Sequence, residues 1–388
     1  MSRFKGRADR GRVIELLSNL VAIDSVNPSG EGGSQGEAQL AEYLADFFRD
    51  LRMEVSTQEA LPGRPNVLAR WKGSRSDRTL LFQSHLDTVT ASNMPDGLRP
   101  RLEGSKLHGR GACDIKGATA AFLHTLELLA PQREELPADL LYLGAVDEEI
   151  AYTGSRFFVQ NGGRADAAVV FEPTGLQPVI AHKGALRVRI ATHGRSAHTA
   201  RPELGDNAIY QMAEVVRALR KRIEATLPER QHPLCGSATL AVSRISGGLQ
   251  INIVPPACYA DIDWRTLPDE DPTGEVLDRL RGFLDQLNRE QPWIHAEVDR
   301  IISSYRGLDT PVDAPIVGAA LGACQTILGS SQPAGAPYGT DASELAQAMP
   351  CVVLGPGDIA QAHTSDEWVD VEQVAQAAEI YAELAMRF

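Results

Sequence analysis

The sequence predicts an α/β chain in which a mainly parallel sheet flanked by helices is interrupted by an inserted ferredoxin-like α+β domain. Three observations predict it. Up to Phe171, strand-length apolar runs alternate with helical stripes, the order expected of right-handed strand-helix-strand crossovers. At Gly184 the pattern becomes strand, helix, two strands, helix, strand, and after Ile301 it reverts to helix, strand, helix. With 388 residues the chain also exceeds one ordinary core. The expected organisation is therefore a first domain in two parts, 1–182 and 303–388, with the insert at 183–302.

Each element follows from its periodicity. Between Arg10 and Ile23, Val13, Leu16, Leu17, Leu20 and Val21 fall on one helical stripe, and Asn27-Pro28-Ser29-Gly30 with Gly32-Gly33 break the chain. A second helix spans Glu37 to Leu51 with Leu40, Leu44, Phe47, Phe48 and Leu51 inward. Strands are expected at Glu54–Thr57 and Asn66–Trp71, then a central strand ending at His85. The segment Ala91–Pro100 reads as loop and Gly104–Lys106 as a hairpin tip. A helix from Lys116 to Leu129 precedes the strand Leu140–Val146, and a short helix from Gly154 precedes the strand Ala167–Phe171. In the insert, strands at Ala185–Ala191, Ala238–Ile245, Ala257–Arg265 and Ile294–Ile301 surround two helices, the first marked by Ile209, Met212, Val216 and Leu219. The chain then closes with a helix at Ile316–Ile327, a strand at Cys351–Leu354 and a helix at Val371–Met386.

Composition narrows the function. A hydrophobic share of 43% with 23% charged residues is that of a globular enzyme, and the net charge of −13 leaves no basic stripe for nucleic acid. No run approaches the ~18 apolar residues that cross a bilayer, and the N-terminus lacks an apolar leader core, so a cytoplasmic protein without a membrane partner is expected. The five cysteines, Cys113, Cys235, Cys258, Cys324 and Cys351, are odd in number and never spaced Cys-x-x-Cys, which points to free thiols rather than disulfides or a thiolate metal site.

The chemistry concentrates where expected strands stop. In an open α/β sheet, ligands bind beyond the carboxyl ends of the strands. His85, Asp114, Glu148, Glu149, Glu172 and His363 all occupy strand exits or the loops after them. His85 and Asp87, two apart on extended backbone, leave the same side as a ligand and its orienter. Alone, Asp114 could merely cap the next helix. Together, two histidines and several carboxylates at one sheet edge would repel without cations. Nitrogen and carboxylate donors without thiolate suit two Zn²⁺ ions, with Co²⁺ or Mn²⁺ as substitutes. Ligation by Asp114, Glu149 and Glu172 sets three negative charges against four positive, and one hydroxide neutralises the remainder. Glu148 would stay unligated as the general base; it and Glu149 can differ in job only if the chain turns there, and their assignment could be exchanged. A dinucleotide loop at Gly109-Arg110-Gly111 is disfavoured because Gly117 falls outside the required spacing.

Five segments carry a family resemblance: Ser84-His85-Leu86-Asp87-Thr88-Val89, Gly109 to Gly117, Asp147-Glu148-Glu149, Phe171-Glu172-Pro173 and Ala362-His363-Thr364. In this order they resemble the di-zinc metallopeptidase and deacylase family that holds acetylornithine deacetylase, succinyl-diaminopimelate desuccinylase, aminoacylase and the bacterial glutamate carboxypeptidase. The resemblance implies a zinc-peptidase-like fold whose insert acts as a lid and forms a homodimer. It implies that Asp114 bridges two metals, that His85 and Glu172 complete one site and that Glu149 and His363 complete the other. Asp87 would orient His85, and Glu148 would be the base. Gly194-Arg195-Ser196-Ala197-His198 is similar to the segment whose histidine reaches a neighbouring subunit's site and polarises the scissile carbonyl. Asn252 and the loop Gly339-Thr340-Asp341 match positions that line the family's substrate pocket. Arg265 is a candidate clamp for a substrate carboxylate, its alternative being a salt bridge to Asp263 or Asp261.

The expected activity is cleavage of an amide bond in a small N-acyl amino acid, a step of amino-acid metabolism. A dipeptidase or carboxypeptidase is the alternative within that chemistry, and an inactive binding protein is the alternative outside it. The residues after the His-x-Asp motif, Asn93-Met94-Pro95-Asp96, depart from the tryptophan and acidic residues frequent in the family's deacetylases, so acetylornithine is not carried over as the substrate.

Overall fold

The computed structural model describes residues 2–30, 34–74 and 77–388, so the Gly32-Gly33 break lies outside the described residues. Asp9 starts helix α1 (Arg10–Ala22) by accepting from the N–H groups of Gly11 and Arg12, and the stripe from Val13 to Val21 is fully buried. Helix α2 (Ala38–Asp50) buries Leu40, Leu44 and Phe48. Strands β1 (Glu54–Leu61) and β2 (Arg64–Trp71) form an antiparallel hairpin, followed by β3 (Thr79–His85). Helix α3 (Gly117–Leu129) leads to β4 (Asp139–Ala145), and α4 (Thr153–Gln160) to β5 (Ala167–Val170) and β6 (Val179–His182).

Next come β7 (Gly184–His193), α5 (Ala208–Arg222), β8 (Thr239–Gly247), β9 (Ala257–Thr266), α6 (Leu277–Glu290) and β10 (Ala296–Tyr305). The chain ends with α7 (Pro315–Leu328), β11 (Cys351–Val353), β12 (Trp368–Asp370) and α8 (Val371–Arg387).

Two compact units result. The first comprises Met1–Ile180, Thr310–Ala334 and Thr340–Phe388, and the second Ala181–Asp309 and Gly335–Gly339.

In the first unit the sheet runs β1-β2-β4-β3-β5-β11-β6. The four central strands are parallel: β3 pairs with β4 and β5, and β11 pairs with β5 in the register Cys351 to Ala168. Parallel strands covered on both faces read as continuous apolar runs, and Leu80, Leu81 and Phe82 are fully buried. Phe82 packs on Phe122 of α3 at 4.9 Å between ring centroids, Phe122 stacks on Tyr142 at 5.2 Å, and Phe171 stacks on Tyr381 of α8 at 4.8 Å. Each such side chain contributes on the order of 1.5–3 kcal/mol by leaving water. Because these strands share one direction, the residues that follow β3, β4 and β5 emerge at one edge.

Strand β6 was not foreseen, since four residues after Pro178 carry too short a pattern. It pairs antiparallel with β11 through Val179 and Val353. Strand β12 was also missed. It pairs with Lys106–His108 of the hairpin whose other arm is Arg101–Glu103.

The second unit is an antiparallel sheet ordered β8-β9-β7-β10 with α5 and α6 packed on it. Leu186, Val188, Ile190, Met212, Leu219, Trp264 and Leu280 are buried in its core. This strand order is that of the split β-α-β unit. Its last strand runs on to Tyr305, beyond the apolar alternation, because pairing continues as far as Ala185.

Candidate metal centre

Strand β3 delivers His85 at its carboxyl end, 4% exposed. Its Nδ1 lies 2.9 Å from the main-chain oxygen of Asp87. A carbonyl only accepts, so Nδ1 carries a proton, and Nε2 faces Oδ1 of Asp114 at 3.0 Å, to which it donates when the ring is charged. The sequence assigned this orienting task to the Asp87 carboxylate, but Oδ1 of Asp87 stands 3.8 Å from Nδ1. The main-chain carbonyl two residues on does the orienting. The Asp87 carboxylate instead accepts from the main-chain N–H groups of Glu148 at 2.9 Å and Glu149 at 3.1 Å, and from Nδ2 of Asn27 at 2.8 Å.

After β4 the chain turns sharply. Asp147 takes a left-handed conformation, φ 68° and ψ 33°, and Glu148–Ala151 forms one helical turn. This turn separates the two glutamates. One oxygen of Glu149 meets Nε2 of His363 at 3.0 Å, while Glu148 belongs to neither donor triad. Asp147 is fixed in turn by Asn27 at 2.9 Å and by Arg64, which is itself gripped by both oxygens of Glu37.

The loop before α3 presents Asp114. Gly111 there has φ 80°, and a Cβ on it would stand 2.7 Å from the Thr88 side chain, so the close passage requires glycine. Asp114 offers Oδ1 to His85 and Oδ2 to His363, the latter at 3.4 Å. Two triads result among the described residues, each with donor atoms within 4.8 Å: His85, Asp114 and Glu172, and Asp114, Glu149 and His363. Cys113 stays out of both, its thiol donating to the main-chain oxygen of Asp358 at 3.4 Å. His108, His124, His182, His193, His232 and His295 also belong to neither.

The electrostatics of these groups describe an anionic basin. Burial, then the field of Glu172 among its neighbours, drives the carboxyl of Glu148 well above its ordinary value. Burial and the field of Asp114 do the same to Glu172 and also raise Glu149. Hydrogen bonds to Asp114 and Glu149 carry His363 up to about 10. Burial opposes charging of His85, yet its bond to Asp114 and the surrounding carboxylates raise it well above the usual range. Oε1 of Glu149 is also buried without a hydrogen-bond partner. Such an orphaned oxygen, two triads sharing one carboxylate and the absence of thiolate fit a pair of divalent cations.

Asp341, expected from the sequence only as part of the pocket-lining loop Gly339-Thr340-Asp341, also belongs to the electrostatics of this centre. It is 1% exposed and accepts from Nε2 of Gln83 at 2.5 Å, and burial holds its carboxyl up at about 7. Its signal was Gln83, a polar residue in an apolar run, two before His85 and so on the same face.

The sequence profile described as "Peptidase family M20/M25/M40" matches residues 81–387. The chain belongs to peptidase family M20/M25/M40. As a member it is a metal-dependent hydrolase of amide bonds. It is 32% identical over 381 residues to the acetylornithine deacetylase of Myxococcus xanthus, covering 96% of each chain. Its fold is that of the aminopeptidase PepT from Bacillus cereus, with a TM-score of 0.80, 22% identity and coverage of 98% and 99%. It is likewise similar to YXEP of Bacillus subtilis, described as a dinuclear metal-binding peptidase of the M20 family, with a TM-score of 0.72, 17% identity and 97% of each chain covered.

The remaining sequence-derived residues belong to neither triad. Thr340 is buried in the first unit, its hydroxyl accepting from the N–H of Ala342 at 3.1 Å. In the second unit, His198 is exposed and its Nδ1 accepts from the N–H of Ala200 at 3.0 Å. Asn252 is exposed, with its main-chain oxygen bound to the N–H of Thr199. Gly339 leaves no room for a side chain, since a Cβ would stand 2.1 Å from Tyr305. Arg265 pairs with Asp263 at 2.9 Å and donates to the Tyr305 hydroxyl at 2.6 Å.

Proposed function

We propose that the chain hydrolyses the amide bond of a small N-acyl amino acid, with Glu148 as general base and acid, and with zinc as the metal. The observation that carries this reading is the division of labour at the turn after β4: Glu149 faces a donor triad while its neighbour Glu148 stays out of both. Cations held by His85, Asp114, Glu172, Glu149 and His363 would polarise the scissile carbonyl and lower the pKa of a water toward ~7.

Glu148 takes the attacking water's proton and returns it to the departing amine. Burial suits it to holding that proton between the two steps. Asp87 holds the turn that presents it, through the N–H groups of Glu148 and Glu149. Arg265 recognises the free carboxylate of the substrate, releasing Asp263 to do so.

The same reading makes the active form a homodimer through the second unit, with His198 of a neighbouring copy steadying the oxyanion and Asn252, Gly339 and Thr340 lining the substrate pocket. Supporting it, Tyr210, Leu249 and Ile251, exposed at 69%, 70% and 100%, line one open recess of that unit, the clustered apolar exposure that marks an interaction face. Five free thiols accord with a cytoplasmic setting.

The name of the Myxococcus relative favours an acyl group, and the similarity to PepT keeps peptides in view. A panel of N-acetyl and N-succinyl amino acids against unblocked dipeptides, with zinc or cobalt supplied, decides. Preference for the acylated set is the expected result. Preference for free dipeptides would convert the assignment to a dipeptidase, and inertness of metal-loaded protein toward both sets would refute it.

A further inference from the structure

We infer that Glu367, locked to Arg110, is a positioning residue that holds the shared carboxylate of Asp114 between the two triads. The inference rests on the metal-centre reading above and assigns to it a residue that supplies no ligand.

Both side chains are 1% exposed. Oε1 of Glu367 accepts from the main-chain N–H groups of Cys113 at 2.9 Å and Asp114 at 3.0 Å. Oε2 accepts from the N–H of Gly111 at 2.9 Å and from Nη1 of Arg110 at 2.7 Å. Three N–H groups of one short loop thus converge on a single carboxylate, the concave arrangement by which backbone amides bind anions. The anion here is part of the chain, and it sets the path of the backbone at Asp114 itself.

Arg110 extends the clamp. Its Nε donates to the main-chain oxygen of Thr90 at 3.0 Å, and Nη2 donates to Oδ1 of Asn93 at 2.8 Å and the main-chain oxygen of Thr364 at 3.1 Å. Thr90 and Asn93 lie on the loop that follows His85, and Thr364 adjoins His363. The pair therefore ties together the three segments that carry His85, Asp114 and His363. The main chain adds one more tie, the N–H of Gly109 to the carbonyl of Glu367 at 3.1 Å. Such a network does for Asp114 what outer partners generally do for ligands, fixing orientation without touching the ion. Its geometry demands two acceptor oxygens. An amide would present an NH₂ group to donors that need an acceptor, so Glu367→Gln breaks at least one side of the clamp while preserving shape.

The test compares the parent, Glu367→Gln, Glu367→Asp and a control, Thr125→Val. The control removes a buried hydroxyl that bonds Ala121 and Ala378 elsewhere in the same unit. Zinc and cobalt affinities are measured by titration calorimetry and the cobalt absorption spectrum, beside kcat, KM and the melting temperature of metal-free protein. Outer-partner changes typically cost 10–100-fold. Glu367→Gln is expected to lose about that factor in cation affinity and in kcat, with KM near the parent value. Glu367→Asp, which keeps the carboxylate on a shorter stem, should fall between the two. Thr125→Val should lower the melting temperature without moving cation affinity.

Parent-like affinity and spectrum in Glu367→Gln would overturn the proposal. So would a loss of affinity in Thr125→Val equal to that in Glu367→Gln, because the effect would then be generic destabilisation. If Glu367→Gln does not fold, parent-like cation affinity in Glu367→Asp would overturn it instead. A parent that binds no divalent ion defeats the metal-centre reading at the first measurement, before any variant is compared.

Discussion

Replacing Glu148 by glutamine separates proton transfer from everything else the centre does. The amide matches the carboxylate in shape, and the contact that anchors the residue, its own N–H on Oδ1 of Asp87 at 2.9 Å, belongs to the main chain and survives. Neither triad includes Glu148, so bound metal is expected at the parent stoichiometry. What is lost is a proton acceptor, typically a factor of ~10²–10⁴ in rate, or about 3–5 kcal/mol of barrier. A second expectation concerns stability without metal. Burial and the fields of Glu172, Glu149 and Asp341 raise Glu148 well above its ordinary 4.5. The stability contributed by such a group is present below the unfolded value and is lost as pH rises through the folded one. The metal-free parent therefore pays a penalty at neutral pH that the amide, having no proton to lose, escapes. Kinetics on an N-acetyl amino acid, metal analysis and melts of chelated protein read all three quantities. A variant that keeps turnover within about threefold of the parent, or one that sheds a cation, would refute the argument.

Three further outcomes are expected. Chelation should lower the melting temperature and readdition should restore it, since saturation to 100 times Kd is worth ~2.7 kcal/mol per site; an unmoved melt with and without zinc would mean that the triads hold no ion. Asp87→Ala strips an acceptor from two part-buried N–H groups and from the buried Asn27, the last worth ~1–3 kcal/mol when left unmade, so urea unfolding should register a loss of about 2 kcal/mol together with a fall in kcat. Parent-like urea curves would show those bonds to be dispensable. Arg265→Ala should raise KM for substrates bearing a free carboxylate and leave carboxyl-capped analogues unchanged; equal effects on both would confine Arg265 to its contacts with Asp263 and Tyr305.

What the sequence made legible was whatever local pattern encodes. The stripe of α1, the buried run of β3 and the split β-α-β order of the second unit could all be read from spacing, because one residue's face is fixed by its neighbours. As candidates, His85, Glu149 and Glu172 could be proposed because they end or follow strands of one parallel set, whereas Asp114 and His363 sit on loops and rested on the family resemblance. The distant partners were not legible. Glu37, Arg64 and Asn27 meet at Asp147, and Asn27 also reaches Asp87, only after the chain folds, and no periodicity announces such a meeting. The same is true of Glu367, whose carboxylate faces a loop some 250 positions earlier. Asp87 was chosen for its spacing from His85, but spacing fixes the side of a strand and not which oxygen makes the bond. Short strands such as β6 and β12 carry too few residues to express a pattern at all.

The placement of β11 between β5 and β6 has a consequence for biosynthesis. Both flanking strands leave the ribosome by residue 182, yet the segment that joins them begins at 351. At ~5–20 residues per second the wait is roughly 10–30 s. Throughout it the nascent polypeptide carries two unmatched rows of amide and carbonyl groups, the feature that invites intermolecular pairing and the attention of holding chaperones. Yield in a cell should accordingly respond to translation speed over the intervening codons, even where the finished protein is unaltered.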